Sequence, residues 1–79
     1  MNWKDIIVAD PNVLVGKPVL KGTRLPVELI LNRLADGWSQ DDLLRSYPRL
    51  TRDAIQAVFA LASETMRDEQ FVAIEKLSA

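Results

Sequence analysis

The side chains best suited to catalysis are scarce in this chain, because it contains neither histidine nor cysteine. The adjacent carboxylates Asp41 and Asp42 come closest to an acid–base pair. Neighbouring residues of a helix do not face each other, however, and carboxylates at a helix start are stabilised by its positive end. No arrangement of the serines and threonines suggests a lysine or carboxylate base. We therefore predict that the protein is not an enzyme.

The segment GKPVLKGTRLPV, residues 16–27, invites comparison with a phosphate-binding loop. A P-loop needs two glycines separated by four residues, with a lysine directly after the second glycine. Here Gly16 and Gly22 are one residue too far apart, and Thr23 follows the second glycine. Pro18 also removes a backbone N–H from the cradle. The segment is therefore interpreted as a hairpin loop, with its basic residues as secondary phosphate contacts.

Metal and cofactor sites are not predicted either. Without cysteine and histidine, carboxylates are the only strong metal ligands in the chain, and their spacing does not match a calcium-binding loop.

Nucleic-acid binding is better supported by the residue types around position 52. If a helix starting at Arg52 enters a major groove, Arg52 can pair with guanine and Gln56 with adenine. The predicted DNA-binding residues are Arg45, Arg49, Thr51, Arg52 and Gln56. Asp53 opposes this interpretation, because its carboxylate is repelled by phosphates. The alternative, that the arginines are solvated residues around a helix cap, remains open.

Contact with other protein chains is the second interpretation of the same helix. Ala54, Ala57 and Leu61 form a second apolar row beside the Ile55 stripe, and a helix apolar on two sides is expected to meet two neighbours. These three residues are the predicted dimer contacts. The aromatic residues Trp3 and Trp38 are candidate anchors, with burial inside the monomer as the equal alternative.

The end of the chain alternates acidic and apolar residues, a pattern that suits a partner's basic groove. The predicted partner-binding residues are Phe71, Val72, Ile74 and Leu77. Packing of this segment on its own domain is the alternative.

The elements that position these residues follow from periodicity and turn signals. Short β-branched runs and proline-containing segments predict a small β element over residues 1–27, with strands at 6–8 and 13–15 and a hairpin around Gly22. Apolar residues at helical spacing predict helices at 27–36, 40–47 and from 52 onward. Gly37 closes the first helix, and Ser39 and Thr51 cap the next two. The third stripe is predicted to include Phe59 and Met66.

This order of elements is mainly α. A short helix joined to a longer one by a brief turn is typical of a tri-helical helix-turn-helix. We predict one domain over residues 1–66, followed by a helical extension or tail over 67–79.

Length and charge limit the remaining possibilities. A chain of 79 residues forms one domain with a marginal core, so that, without disulfides, we expect oligomerisation to support it. Residues 17–52 carry seven basic and four acidic side chains, a charge of +3, whereas residues 53–79 carry two and five, a charge of −3. This asymmetry fits a basic middle and an acidic end with different partners. The absence of a long apolar run and of a signal peptide predicts a cytoplasmic protein.

A longer pattern resembles a known family. The matching segments are Ile7-x-x-Asp10-Pro11, the core from Gly16 to Val27, Leu34-x-x-Gly37-x-Ser39, and Tyr47-Pro48-x-Leu50-Thr51. Together they run from about Ile6 to about Ala62 and are similar to the prokaryotic family called domain of unknown function 433. That family resembles VapB-like antitoxins of type II toxin–antitoxin modules, which are paired with PIN-like ribonuclease toxins.

The resemblance implies a homeodomain-like helix-turn-helix, a homodimer and autorepression of its own operon. It also implies that the tail faces the toxin and the middle faces DNA. We therefore predict an antitoxin-like protein that neutralises a PIN-like toxin by direct binding and binds operator DNA as a dimer. The alternative is an oligomeric interaction module without a DNA role.

Overall fold

A two-stranded antiparallel hairpin followed by three helices makes up the fold. The computed structural model describes residues 2–69, and side chains are described for residues 2–67. The strands are β1 (Ile7–Ala9) and β2 (Pro18–Leu20), and the helices are α1 (Val27–Ala35), α2 (Gln40–Ser46) and α3 (Arg52–Glu69). Single 3-10 turns cover Trp3–Asp5 and Leu14–Gly16. The mainly helical architecture and the three helix positions predicted from the sequence are confirmed. None of the helices within residues 2–69 is long and apolar enough to cross a membrane.

Helix α1 ends as its glycine predicts. Gly37 has φ +95, a left-handed conformation that glycine adopts without a steric penalty. This bend lets the Gly37 N–H donate to the Leu34 carbonyl at 3.1 Å and the Trp38 N–H donate to the Arg33 carbonyl at 3.0 Å. The two bonds form a Schellman motif, which satisfies carbonyls that the helix end would otherwise leave without partners.

Helix α2 begins with a complete capping box. The Asp42 backbone N–H donates to the Ser39 hydroxyl oxygen at 3.0 Å, and the Ser39 N–H donates to the Asp42 carboxylate at 2.9 Å. Hydrogen bonds to the charged carboxylate favour its ionised form. The bonds from Ser39, with a smaller contribution from Arg45, therefore lower the pKa of Asp42.

The capping box makes the free energy of unfolding depend on pH. A carboxyl whose pKa is lower in the folded state stabilises the protein above its unfolded pKa of about 4, and this contribution is lost as the pH falls through the lower folded value. Asp42→Asn should therefore be less stable than the natural chain at pH 7, and the difference should shrink below about pH 4. Urea unfolding across this pH range measures it, with Asp41→Asn as the neighbouring control. An equal difference at pH 3 and pH 7 would refute the assignment.

The hairpin differs from the prediction in its pairing. Strand β1 pairs with β2 in the register Ile7↔Leu20, Val8↔Val19 and Ala9↔Pro18. The run 13–15, predicted as a strand, instead forms a left-handed turn in the connection between β1 and β2. The β-branched residues of this run favour a strand. The run lies between the turn residues 10–12 and Gly16, however, and it does not pair with another strand.

The predicted hairpin around Gly22 is reduced to a turn. Gly22 has φ +77, and the Thr23 N–H donates to the Leu20 carbonyl at 3.0 Å, as in a type II turn. Beyond the turn, only the single bridge Val19↔Pro26 continues the pairing. Pro26 cannot donate to a ladder and its backbone already leads into α1, so the second arm of the hairpin stops there.

The core joins one face of the hairpin to all three helices. Ile30, Leu43, Ile55 and Val58 have no exposed surface, and Ile7 and Leu20 pack against them from the hairpin. Both tryptophans predicted as anchors are partly buried against this core. Trp38 also stacks on Tyr47, with ring centroids 6.5 Å apart.

The core stripe predicted on α3 is too long. Phe59 and Met66 are 40% and 56% exposed, although both fall at helical spacing with Ile55. The buried α3 residues in the described part of the chain lie between 54 and 58. The helix has 18 residues and extends about 27 Å, farther than the elements that cover its first half. In its second half, the Trp3 indole N–H donates to the Glu64 carboxylate at 2.6 Å.

Candidate nucleic-acid and partner interface

The connection between α2 and α3 holds the start of α3 in place. Thr51 caps the helix as predicted, with its hydroxyl oxygen accepting from the Ala54 N–H at 3.1 Å. Arg49 donates from Nη1 to the Gly22 carbonyl at 3.0 Å. This bond joins the connection to the turn after β2, so Arg49 lies between the hairpin and α3.

Two predicted DNA contacts take part in surface ion pairs. Arg45 pairs with Asp42 and Arg52 pairs with Asp41, each at 2.5 Å. The arginine side chains are 73% and 62% exposed, so these pairs contribute little to stability and are screened by salt. A phosphate can therefore replace the carboxylate at little cost. The pairs also give Asp41 and Asp42 structural roles, in ion pairing and helix capping.

Gln56 completes the outer face of the first turns of α3. It is exposed and lies one helical turn after Arg52, so the two side chains share a face. Asp53 is also exposed on the first turn of the helix. The structure thus brings Arg49, Thr51, Arg52 and Gln56 to one end of α3, whereas Arg45 lies on α2.

Basic residues that form no ion pair within the described residues lie beside this end of α3. Three of the basic residues in 17–52 are paired with carboxylates, namely Lys17, Arg45 and Arg52. Within the described residues, no ion pair is formed by Lys21, Arg24 or Arg49, and we call these three the basic corner. Lys21, Arg49 and Thr51 line one shallow depression, together with Asp5.

The basic corner was underestimated by sequence reasoning. The sequence predicts Lys21 and Arg24 only as secondary phosphate contacts, because segment 16–27 is interpreted as a hairpin with a structural role. The signal that could have found them is the glycine turn itself: Gly22 folds the two residues back toward the body of the protein. Their proximity to Arg49 depends on a contact between residues 27 positions apart.

Arg33 is the remaining basic residue of the middle segment. Its guanidinium lies over the Trp38 ring at 5.1 Å from the centroid, and its Nε donates to the Tyr47 hydroxyl at 3.3 Å. The hydrogen bond to Tyr47 raises the pKa of Arg33. This arginine therefore links α1 to the turn before α2 and to the residue that follows α2.

The predicted dimer row does not form an exposed surface. Ala57 has no exposed area and Ala54 only 6%, because both pack into the core of their own chain. Leu61 is partly buried against the same core. The exposed apolar residues of α3 are instead Phe59 and Met66, about two helical turns apart on one face.

Metal binding has no geometric basis in the described residues. Within residues 2–69 no three carboxylates come close enough to form a metal site.

The arrangement can be compared with known proteins. The model of the family described as "Protein of unknown function (DUF433)" matches residues 7–62. The chain belongs to this family. The match covers both strands, α1, α2 and the buried first half of α3, so it includes the basic corner and the predicted DNA contacts of this DUF433 protein.

The chain is also similar to a curated protein whose function is itself uncharacterized. The uncharacterized protein y4eO of Sinorhizobium fredii is 34% identical over 53 residues, which cover 67% of the DUF433 chain described here. The aligned part is only 24% of that relative's own length. No solved structure matches the chain.

The predicted partner-binding residues of this DUF433 protein lie outside the described part of the structure. They are Phe71, Val72, Ile74 and Leu77. Helix α3 continues to Glu69, past the domain boundary predicted at residue 66.

Proposed function

We propose that this protein is a non-enzymatic, antitoxin-like regulator of the cytoplasm that binds operator DNA as a dimer and neutralises a PIN-like ribonuclease toxin by direct contact. The observation that carries the proposal is the start of α3, where Arg52 and Gln56 project into solvent beside the basic corner. In this proposal α2 and α3 act as a homeodomain-like helix-turn-helix, and α3 is the recognition helix.

The DNA-binding part follows from how such helices dock. The N-terminal residues of a recognition helix contact base edges, while neighbouring positive groups hold phosphates. Arg52 suits guanine and Gln56 suits adenine, and the two lie on one exposed face. Arg49 and Lys21 share a depression with Thr51 and Asp5, and in this proposal the two basic side chains hold phosphates beside that face. A single module with so few cations binds weakly, which is why the proposal requires a dimer.

The toxin-binding part rests on the exposed apolar face of α3. Phe59 and Met66 expose apolar surface on one face of a helix that is followed in the sequence by the largely apolar residues 70–79. Amphipathic helices of this kind bind apolar grooves of partner proteins. The family resemblance supports a PIN-like toxin as that partner.

A mobility-shift titration tests the DNA-binding part. At near-physiological salt, the protein should form a specific complex with the DNA upstream of its own gene and not with a shuffled duplex of equal length. Gln56→Ala should reduce the preference for the specific duplex by about 1–3 kcal/mol, as expected for one lost bidentate base contact. Equal binding of both duplexes would contradict specific recognition.

A truncation separates the two activities. Ending the chain after Glu69 keeps all the described helices and removes the predicted partner-binding residues. The shortened protein should bind the upstream DNA normally but should no longer co-purify with the product of the neighbouring gene. Phe59→Ala in the full chain should weaken the same co-purification. A truncated protein that retains the partner would refute the role of residues 70–79.

The alternative function, an oligomeric interaction module, is favoured by one observation. Arg45 and Arg52 already have carboxylate partners in the isolated chain, as expected of ordinary surface residues. Under this alternative, the protein still assembles, but the titration shows no preference for its upstream DNA.

A further inference from the structure

The connection between β1 and β2 displays two apolar side chains in an unfavourable backbone conformation. Leu14 has φ +49 and Val15 has φ +57, and Gly16 follows with φ +81. A positive φ is uncommon for any residue with a Cβ atom and strained for a β-branched one. Val15 is 95% exposed and Leu14 41% exposed. We call Leu14 and Val15 the tip.

Hydrogen bonds hold the tip in this conformation. Asn12 donates its N–H to the Asp10 carboxylate at 2.9 Å, and Val13 donates to the Asp10 carbonyl at 2.9 Å. Gly16 and Lys17 then donate to the carbonyls of Val13 and Leu14 at 3.1 and 3.2 Å. A strained segment persists where its surroundings determine it, and such segments cluster at functional contacts. In a single chain the strain and the exposed valine are both unfavourable, which points to a partner that covers the tip.

An apolar groove lies next to the tip, on the face of the hairpin that points away from the helical core. It has a volume of about 750 Å³, and Val8, Val13, Val19 and Leu25 contribute its apolar wall. Val19 is only 2% exposed but does not belong to the helical core, so it forms part of a separate apolar layer. The lining also includes Pro48 and the charged residues Asp10, Arg24 and Arg49.

We propose that the tip of one copy of this chain occupies the groove of a second copy, and that the contact is reciprocal. Val13 lies in the groove wall and is followed directly by the tip, so the two surfaces are adjacent. A two-fold axis close to Val13 therefore places each tip over the groove of the other copy and closes a symmetric dimer.

Charge complementarity favours a second copy as the occupant. Asp10 and Arg24 both line the groove, and no ion pair is formed by either within the described residues. The two-fold arrangement brings the Asp10 carboxylate of one copy toward Arg24 of the other. The apolar wall suits Val15 and is unfavourable for a phosphate backbone. This dimer forms without DNA or a toxin. The proposed function requires a dimer but not this particular interface, so the interface can be refuted while the proposed function stands.

Site-specific cross-linking tests the arrangement, because the chain has no native cysteine. Val15→Cys places a thiol on the tip, and Pro48→Cys places one on the groove. When the two variants are mixed and oxidised, the mixed disulfide should form about a hundredfold faster than between unassociated molecules, as expected for an effective concentration in the millimolar range. Asn32→Cys, exposed on α1, is the control thiol and should not couple preferentially to Val15→Cys.

A glycine substitution gives an independent readout. Val15→Gly relieves the left-handed strain and removes the side chain that fills the groove. The thermal midpoint of dilute protein should stay equal or rise, whereas the dimer dissociation constant from sedimentation equilibrium should increase about tenfold or more. A protein that is monomeric at high micromolar concentration, a dimer unaffected by Val15→Gly, or a mixed disulfide no faster than the control would each overturn the proposal. Loss of DNA or toxin binding with an intact dimer would instead count against the proposed function alone.

Discussion

Replacing Ile55 with alanine is expected to lower the free energy of unfolding by about 2–5 kcal/mol, the range measured for such truncations in protein cores. Ile55 has no exposed surface and belongs to the core cluster that joins the three helices and the hairpin. A domain of 79 residues has a total stability of about 4–12 kcal/mol, at roughly 0.05–0.15 kcal/mol per residue. If the natural protein has a total stability near the lower end of this range, a large fraction of the Ile55→Ala variant should therefore be unfolded.

Phe59→Ala is the matched control for Ile55→Ala. It removes a larger side chain one turn farther along the same helix, but that side chain is 40% exposed. Its cost should be clearly smaller than that of Ile55→Ala, because less surface returns to water and no enclosed cavity forms. Urea unfolding followed by circular dichroism compares the two. If Phe59→Ala is the more damaging substitution, the assignment of the buried part of α3 to residues 54–58 is incorrect.

The double substitution of Arg49 and Arg52 by alanine should nearly abolish binding to the upstream DNA. Under the proposed function, Arg49 holds a phosphate and Arg52 reads a base. Losing the base contact costs about 1–3 kcal/mol, which corresponds to roughly 5- to 150-fold in affinity. Losing a phosphate contact reduces the slope of log affinity against log salt by about 0.9 for each arginine that binds phosphate. Fluorescence anisotropy at several salt concentrations measures both effects.

Arg67→Ala provides the control for charge alone. Arg67 is exposed on the same helix, near its C-terminal end, so the substitution removes the same charge far from the proposed DNA face. Its affinity and salt slope should stay close to those of the natural chain. The DNA-binding assignment fails if Arg67→Ala weakens binding as much as the Arg49 and Arg52 substitutions do.

The elements that could be predicted from the sequence are those governed by local signals. Ser39 and Asp42 form the expected capping box, and Gly37 ends α1 with the expected left-handed residue, because caps depend on neighbours within a few positions. Helical periodicity did not predict burial correctly where burial depends on which other elements pack against the helix. Phe59 and Met66 continue the Ile55 stripe, but they lie beyond the buried stretch of α3.

The positions of the candidate site residues were predictable, but their partners within the chain were not. Thr51 was expected to cap α3, and Arg52 and Gln56 were expected on its outer face, which follows from helical spacing. The pairing of Arg52 with Asp41 and the bond from Arg49 to Gly22 join separate elements, so no local rule predicts them. Ala54 and Ala57 show the converse problem, because a row of small residues fits a tightly packed core as well as a partner surface.

The most direct test of the central claim is a titration of the purified product of the neighbouring gene with this chain, with ribonuclease activity as the readout. Under the proposed function, inhibition is stoichiometric, so the ribonuclease activity should fall linearly and reach zero at a fixed molar ratio. The chain truncated after Glu69 should leave the activity unchanged. If the neighbouring product is not a ribonuclease, or if its activity persists with a molar excess of the intact chain, the antitoxin assignment is incorrect.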